Sequence, residues 1–257
     1  MKTITLIASQ LSKITGHNSF ETPEKTLNEI LKRNKLSDVY IPKSNVEERL
    51  IGLDKKTLDT IKVGLKLDSK TSLKDVEKAI KNKVKDSLDG DINESSSIKK
   101  VKDVLDKIPA LNKIKKSINQ DIQIKRGNIK ESKNLDTTQV KDNIIITSRN
   151  SDMFNNILYV DPGGVYQINI RGKIDGLTDN TIVETKNRSR RFFGKIPGYE
   201  QVQLEGYMFL TGYSKAIHIE CFNGEQQKIE YEHDEDFWET CKEKMINYVD
   251  TNVKPLL

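Results

Sequence analysis

The chain has 257 residues, of which 35% are hydrophobic and 32% charged, and a formal net charge of +5. This length can bury a substantial core, and the composition is typical of a globular protein with a very polar surface. No apolar run approaches the roughly 20 residues of a membrane span, and the apolar stretch after Lys2 is too short for a signal peptide. We therefore expect a soluble intracellular protein of the cytoplasm or nucleus. Its 2 cysteines, Cys221 and Cys241, make neither a disulfide framework nor a four-cysteine metal site.

The charge is unevenly distributed along the chain. Residues 55–133 contain 21 Lys and Arg against 12 Asp and Glu, whereas residues 220–257 contain 4 against 10. A cluster of cations favours a polyanionic partner such as nucleic acid. Lys-rich helices that are only solvated would give the same counts, so charge alone leaves both interpretations open.

Two helices are predicted between residues 7 and 33. The first begins near Ser9, which is placed to cap it, and the second follows Thr22 and Pro23, a capping residue and a helix-starting proline. A hydroxyl at a helix N-terminus can also bind a phosphate group, so Ser9 has two candidate roles, of which capping is the commoner.

Residues 34–112 carry a weaker signal. Residues 34–54 are expected to be irregular, and amphipathic helices are expected from Thr57 to about Lys116, with Ser72 and Ser97 as caps and 89–97 as a linker. We therefore divide the chain into a mainly helical N-terminal region, 1–112, and a core, 113–257. The apolar positions at helical spacing are Leu73, Val76, Ile80, Val84 and Leu88 in one set, and Ile98, Val101, Val104, Leu105 and Ile108 in another.

A further helix is predicted from roughly Ile114 to Asn134. Gly127 lies within it, at a cost of about 1 kcal/mol relative to Ala, which indicates close approach of a backbone or ligand. Glu131 alone is uninformative because most helical glutamates are solvated. Strand signals follow at 143–147 and 157–160.

The most informative stretch runs from Arg171 to Tyr207. A strand through 166–175, a turn over 176–181 and a return strand over 182–186 predict a β-hairpin, and a helix from about Gly198 to Leu210 follows. Downstream, a second hairpin turning at Asn223-Gly224 and a final helix with an apolar stripe complete the pattern.

Three side chains of the first hairpin are expected to converge. Alternation along a strand points Glu184 and Lys186 to the same side, and the hairpin can bring Asp175 beside them. Two carboxylates and an ammonium at one spot suit a hard divalent cation and a positioned water. The alternative is a surface hairpin with a Glu–Lys salt bridge.

The segment between the hairpin and its following helix is strongly basic. Cations interleaved with aromatic side chains suit phosphate contacts and base stacking. On the helix itself, Gln203 and Tyr207 lie four residues apart and share a face. The basic segment contains Lys186, Arg188, Arg190, Arg191 and Lys195, with Phe192 and Phe193 between them.

The order of these motifs resembles the PD-(D/E)xK nuclease superfamily. The matching motifs are a Gly-x-x-x-Glu ending at Glu131, then Asp175, Glu184-Thr185-Lys186, and a Gln-x-x-x-Tyr from Gln203 to Tyr207. The last motif is typical of the RecB/lambda-exonuclease (YqaJ-like) branch. The resemblance implies an α/β (α+β) fold with a restriction-endonuclease-like core, in which helices flank a central mixed sheet, plus an N-terminal or inserted helical subdomain.

The resemblance also implies a metal site. Asp175, Glu184 and the main-chain carbonyl of Thr185 would ligate Mg²⁺ or Mn²⁺, and Glu131 would complete the site directly or through water. Lys186 would orient or deprotonate the attacking water. Gln203 and Tyr207 would anchor the scissile nucleotide or position Lys186. The implied catalytic set is Glu131, Asp175, Glu184, Lys186, Gln203 and Tyr207.

DNA is the implied partner. Ile7-Ala8-Ser9 is similar to a segment of phage-type exonucleases in which the serine helps to bind a 5′-phosphate. Lys2 stands where those enzymes have an arginine, and a lysine cannot make the same bidentate contact. The candidate nucleic-acid-binding residues are Ser9, Arg126, Arg188, Arg190, Arg191, Phe192 and Lys195.

Three functions stay open. The first is a metal-dependent DNA exonuclease that leaves 5′-phosphates, in recombination, repair or genome maintenance. The second is a structure- or site-specific DNA endonuclease on the same core, and the third is a catalytically inactive nucleic-acid-binding module. The intact Asp175, Glu184 and Lys186 argue against the third, and Gln203 with Tyr207 favours the first. A homo-oligomer is compatible with the sequence, as is a recombinase, single-strand-annealing or helicase partner on another chain, because this chain has no P-loop.

Overall fold

A computed structural model describes residues 1–18, 20–86, 103, 105–107, 109–188 and 190–257, without the side chains of residues 86, 126, 128 and 129. The helices with described bounds are α1 (Leu11–Ile14), α2 (Pro23–Arg33), α3 (Asn45–Ile51), α4 (Lys55–Gly64), α5 (Leu73–Asp86), α6 (Lys115–Asp142), α7 (Gly198–Thr211) and α8 (Glu235–Asn252). The strands are β1 (Lys2–Ile7), β2 (Phe154–Val160), β3 (Tyr166–Gly172), β4 (Gly176–Leu177), β5 (Ile182–Asn187), β6 (Lys215–Phe222) and β7 (Glu225–Glu232).

The strands form two mixed sheets. The first has the order β1-β3-β2, in which β1 is parallel and β2 antiparallel to β3. The second has the order β4-β5-β6-β7, in which only the β5–β6 pair is parallel. The predicted α/β class is confirmed, and the mixed strands are divided between two sheets flanked by helices.

The chain folds as two compact units. One contains Met1–Ile41 and Glu131–Leu257, and the other contains Pro42–Lys130. The N-terminal residues belong with the strands because β1 pairs with β3 along its whole length, from Lys2 opposite Tyr166 to Ile7 opposite Arg171. These units do not coincide with the predicted regions 1–112 and 113–257, and that division stays a prediction.

Local sequence signals explain most element ends in the first unit. The Thr22 hydroxyl caps α2 by accepting from the Lys25 amide, with Pro23 at the first helical position, as predicted. Asp234 caps α8 in the same way. In the β6–β7 hairpin Asn223 and Gly224 both have positive φ, 49° and 83°, which is the geometry of a tight two-residue turn.

The core of the first unit lies between strands and helices. Apolar side chains of β1 and β3 pack in one buried cluster with those of α7 and α8, including Ile4, Ile168, Leu204 and Met245. A Cβ added at Gly206 of α7 would lie 2.9 Å from Leu11 Cδ1, so a side chain there would disturb the packing. This packing holds α7, which carries Gln203 and Tyr207, in a fixed position.

The second unit is helical and has its own core. Val46, Leu50, Ile61, Val76 and Ile80 are among its buried residues, so α3, α4 and α5 share one apolar interior. The predicted apolar set on α5 is therefore correct as far as Val84, and Leu105 of the second set is buried. The predicted cap of α5 is also present, because the Asp75 amide donates to the Ser72 hydroxyl at 3.2 Å. Leu88, Ser97, Ile98, Val101, Val104, Ile108 and the linker at 89–97 lie outside the described residues.

Several local predictions were wrong. Ser9 caps no helix, because it lies inside a 3₁₀ turn, Ala8–Gln10, and neither this turn nor α1 has a side-chain cap. Residues 34–54 contain α3, which Ser44 caps. Residues 143–147 form no strand; Thr147 makes only an isolated bridge to Leu177.

The predicted first hairpin was also partly wrong. β3 pairs with β1 and β2, and the chain then crosses to the second sheet, where only Gly176 and Leu177 pair with β5. Alternate residues from Tyr166 to Ile174 are buried without a break, so the sequence pattern gave no sign of the change of sheet. None of the helices in the described ranges has the length and apolarity needed to cross a membrane.

Candidate active site

Strand β5 carries the centre of the site. Glu184 and Lys186 point to the same side, as alternation predicts, and Lys186 Nζ donates to Glu184 Oε1 at 2.5 Å. Glu184 is buried, and its neighbour on the parallel strand β6 is the buried His218. The pair therefore lies in a region of low solvent access, where electrostatic interactions are strong.

Asp175 is brought beside β5 by the crossing between the two sheets. Its Oδ2 accepts from the Thr185 amide at 2.9 Å and from the Thr185 hydroxyl at 3.2 Å. Both hydrogen bonds fix the orientation of the carboxylate. The predicted convergence of Asp175, Glu184 and Lys186 is present, although it is reached by a different strand path.

Glu131 reaches the same place from α6. Burial raises the pKa of Glu131, and the charge and hydrogen bonding of Asp175 raise it further. The Asn150 side chain donates a hydrogen bond to Glu131 from a loop that precedes β2. The negative charge of Asp175 therefore favours a proton or a cation at Glu131.

Gln203 connects α7 to the β5 pair. Its Nε2 donates to Glu184 Oε1 at 2.9 Å and to the Tyr207 hydroxyl at 2.7 Å, and its Oε1 accepts from Lys186 Nζ at 3.1 Å. The amide therefore contacts both members of the Glu184–Lys186 pair. The four-residue spacing of Gln203 and Tyr207 places them on one face, as the sequence predicted.

The site brings three carboxyl groups, Glu131, Asp175 and Glu184, to the single ammonium of Lys186. Burial raises the pKa of Glu184, and the Asp175 carboxylate raises it further. Burial would lower the pKa of Lys186, but the Glu184 and Asp175 charges outweigh it and raise the pKa above its ordinary value. Glu184 Oε2 is buried without a hydrogen-bond partner among the described residues. A buried carboxylate oxygen without a partner is costly unless a cation or water meets it.

The donor chemistry fits a hard divalent cation. Glu131, Asp175 and Glu184 offer carboxylate oxygens, which Mg²⁺ and Mn²⁺ prefer, and no described residue hydrogen-bonds Glu184 Oε2. Within the described ranges, no three His, Cys, Asp or Glu side chains already lie close enough together to hold an ion. A magnesium or manganese ion at these residues stays a prediction.

Arg188 lies in a buried network, in contrast to its predicted contact with DNA. Its Nη1 and Nη2 donate to the two carboxylate oxygens of Glu200 at 2.7 Å each, and its Nε donates to Glu220 at 2.5 Å. The His218 ring contributes a further contact to Glu200 at 2.8 Å. Because its donors are used in this way and its side chain is only 9% exposed, the packing disfavours phosphate binding by Arg188.

Sequence reasoning missed the partners of Arg188. Glu200, His218 and Glu220 were assigned no role, although alternation continued past Lys186 would place Arg188 on the same side of the strand. Glu220 Oε2 also accepts from the Phe193 amide at 2.7 Å and the Gly194 amide at 3.1 Å. The network therefore anchors the backbone of the basic segment.

The other residues predicted to contact DNA differ in their exposure to solvent. Arg190, Arg191 and Lys195 are exposed, and Phe192 is half-buried with its ring 5.9 Å from that of Phe222. Ser9 is exposed, and the side chain of Arg126 lies outside the described part of the structure.

Gly127 shows no close contact of the predicted kind. A Cβ added there would meet no described heavy atom within 4 Å outside its own helix. Among the described residues, no other segment approaches the Cβ position of Gly127, and its relation to a ligand stays a prediction.

Comparison with known proteins identifies the fold. No protein-family model matches the chain, and no curated protein matches it in sequence. A crystal structure of an alkaline exonuclease (LHK-Exo) from Laribacter hongkongensis is similar over 98% of this chain and 89% of that chain, with a TM-score of 0.52 and 9% identity. The same exonuclease in complex with dAMP is similar over 68% of this chain and 87% of that chain, with a TM-score of 0.43 and 11% identity. The chain thus shares its overall fold with the first of these structures.

Proposed function

We propose that the chain is a metal-dependent deoxyribonuclease, and specifically an exonuclease that hydrolyses phosphodiester bonds to leave 5′-phosphates. The observation that carries the proposal is that Glu131, Asp175, Glu184 and Lys186 interact at one place, where Glu184 Oε2 is buried with no hydrogen-bond partner among the described residues. These residues come from separate parts of the chain, so a chance salt bridge on a hairpin does not account for them. The likeness in fold to an alkaline exonuclease supports the same class.

Asp175, Lys186 and Gln203 would have different roles in binding and orienting the reacting groups. The Thr185 amide and hydroxyl hold Asp175 in place through its Oδ2. Lys186 Nζ lies between Glu184 and Gln203, where it can donate to a water or to a phosphate oxygen. Gln203 fixes the direction of that ammonium, and preorganised donors of this kind stabilise developing charge without reorganisation.

Glu131, Asp175 and Glu184, with the Thr185 carbonyl, would hold Mg²⁺ or Mn²⁺. When bound, such an ion neutralises charge on the phosphate and lowers the pKa of a coordinated water. The ion would also compensate Glu184 Oε2, which is buried without a hydrogen bond from the described part of the chain. The ion would also reduce the electrostatic repulsion between the carboxylates of Glu131 and Asp175.

The substrate would approach past the basic segment that precedes α7. Arg190, Arg191 and Lys195 are exposed and free to meet phosphates through their charge, while Glu220 anchors the segment from beneath. Recombination, repair or genome maintenance is the setting in which such an exonuclease works. We include in the proposal a homo-oligomer, or a recombinase, single-strand-annealing or helicase partner on another chain.

The test is digestion of end-labelled linear duplexes, with and without a 5′-phosphate, in Mg²⁺ and in EDTA. We expect mononucleotides with 5′-phosphates from linear DNA, no hydrolysis in EDTA, and loss of hydrolysis in Lys186→Ala. Lys215→Ala removes an exposed lysine at the start of β6 and should cleave normally. Cleavage of closed circular duplex at an equal rate would instead favour the endonuclease, and full activity in Lys186→Ala would contradict the mechanism.

A further inference from the structure

Phe193 and Phe192 have different environments, although they are adjacent in the basic segment. Phe192 packs edge-on against Phe222 and is half-buried. Phe193 remains 46% exposed, while its amide is bound by the buried Glu220. The backbone of Phe193 is therefore fixed and its ring is presented to solvent.

The Phe193 ring is also supported from one side. The guanidinium carbon of Arg188 lies 4.0 Å from the ring centroid, which is a stacking distance for a cation over an aromatic face. Arg188 cannot swing away easily, because Glu200 and Glu220 hold its donors. One face of the ring is thereby covered, and a planar ligand could meet the remaining exposed surface.

A second exposed aromatic side chain, Phe20, packs against Tyr199, which interacts with Arg188. Phe20 is 80% exposed, and its ring packs edge-on against Tyr199 with centroids 5.9 Å apart. Tyr199 belongs to the first turn of α7, directly before Glu200, and the charges of Glu200 and Arg188 both act on its hydroxyl. Phe20, Tyr199 and Phe193, with Arg188 between the last two, form what we call the aromatic row.

The row is linked to both elements that carry the candidate active site. Arg188 directly follows β5, two residues after Lys186, and Tyr199 precedes Gln203 by one turn of α7. Exposed cations at Arg190, Arg191 and Lys195 flank Phe193 in the same segment. Aromatic rings beside a track of cations are the combination with which proteins bind single-stranded nucleic acid, because every base has a face that can stack.

We propose that the aromatic row stacks unpaired nucleobases, so that the chain takes DNA with a single-stranded segment next to the scissile phosphate. This inference rests on the proposed function and adds to it the form of the substrate. Bases within a duplex keep their faces covered by their neighbours, so a blunt duplex would gain little from the row. The phosphates of either form would still meet the basic segment.

The test compares binding of a single strand and of a blunt duplex to full-length protein in the Lys186→Ala background, which prevents hydrolysis during the measurement. The single strand carries 2-aminopurine, whose fluorescence reports stacking directly. We expect Phe20→Ala with Phe193→Ala to weaken single-strand binding by on the order of tenfold or more and to remove the 2-aminopurine quenching. Binding of the blunt duplex should change by less than about twofold.

Matched variants separate stacking from simple hydrophobic contact. Phe20→Leu with Phe193→Leu keeps apolar surface without an aromatic face and should also lose the quenching. Phe20→Tyr with Phe193→Tyr keeps the rings and should retain the binding and the quenching. Tyr40→Ala removes an aromatic side chain outside the row that is itself exposed, and should leave single-strand binding unchanged. Both replaced phenylalanines are exposed, so circular dichroism of each variant should match that of the parent.

Two results would overturn the proposal. One is unchanged single-strand binding in the double alanine variant, and the other is an equal loss on single strand and blunt duplex. The proposed function fails separately: a parent chain that shows the quenching but never hydrolyses DNA would contradict the nuclease and leave the row supported. A chain that hydrolyses DNA while the double variant binds normally would contradict the row alone.

Discussion

Arg188 Nε lies 2.5 Å from Glu220 Oε1, and Glu220 Oε2 in turn accepts the Phe193 amide at 2.7 Å. One carboxylate thus joins the end of β5, the strand β6 and the backbone of the basic segment. Glu220 is completely buried, so its charge depends on these partners for compensation. The candidate active site and the proposed DNA-facing segment share this internal support.

Removing the Arg188 side-chain charge should destabilise the whole fold. Arg188→Met would leave Glu200 and Glu220 buried without their cation, and we expect a loss of about 3–5 kcal/mol in the free energy of unfolding. Lys215→Met is the matched control, because it breaks an exposed pair with Glu232 and should cost at most about 1 kcal/mol. Urea denaturation measures both. Equal losses in the two variants would show that the buried network contributes no more than a surface pair.

Glu200 should contribute to the acid stability of the protein. Burial would raise the pKa of Glu200, but hydrogen bonds from His218 and Arg188, with the charge of Arg188, outweigh it and lower the pKa to about 2. Because this folded-state pKa lies below the ordinary value of 4.5, the stabilisation is fully present above about pH 4.5 and is lost as the pH falls towards 2. Unfolding measured from pH 6 to pH 2 should therefore show a smaller decline in Glu200→Gln than in the parent. Parallel curves for the two proteins would contradict this role.

Local rules predicted the parts of the site that lie within single elements. Alternation along β5 put Glu184 beside Lys186, and helical spacing put Gln203 beside Tyr207. Asp175 was placed near them from the hairpin, and it does contact Thr185. These relationships depend on backbone geometry, which neighbouring residues in the sequence determine.

The features that the sequence did not predict depend on contacts between residues far apart in the chain. Nothing in the pattern before Asp175 marks the change of sheet, because the buried positions continue in step through Ile174. Arg188 was assigned to DNA because it stands among cations, but its exposure is decided by Glu200 and Glu220. Glu220 lies 32 residues away, on a strand whose parallel pairing with β5 is a tertiary feature.

Gln203 should act on turnover more than on DNA binding. Its amide contacts both Glu184 Oε1 and Lys186 Nζ, so Gln203→Ala would free the ammonium to take other orientations. Misplacement of a catalytic group by about 1 Å can cost about 100-fold in rate, and we expect a loss of kcat in the range of about 10- to 100-fold. Tyr207→Phe removes only the hydroxyl that accepts from Gln203 and should have a smaller effect. Single-turnover digestion separates chemistry from binding, and a change confined to KM would contradict a positioning role.

Divalent cations should stabilise the protein through the carboxylates of the site. An ion that binds the folded state stabilises it by about 2.7 kcal/mol when its concentration is 100 times its Kd. We expect a rise in the unfolding temperature with Mg²⁺ or Mn²⁺ in the parent and a much smaller rise in Asp175→Asn, which keeps a hydrogen-bond acceptor for Thr185. Asp179→Asn, an exposed carboxylate at the tip of the β4–β5 turn, is the control and should respond like the parent. An equal rise in all three proteins would place the ion elsewhere.

The exposed cations of the basic segment should account for part of the salt dependence of DNA binding. Each phosphate contact that a lysine or arginine makes with duplex DNA contributes about 0.9 to the slope of log K against log salt concentration. Replacing Arg190, Arg191 and Lys195 together by Gln should therefore reduce the slope by up to about 2.7. Arg188→Lys should leave the slope unchanged, because the Arg188 side chain binds Glu200 and Glu220 rather than phosphate.

Both variants can be measured by titrating a blunt duplex at salt concentrations from about 50 to about 200 mM. An unchanged slope in the triple variant would place the DNA backbone on another surface, and a reduced slope in Arg188→Lys would show that this buried side chain reaches the phosphates after all.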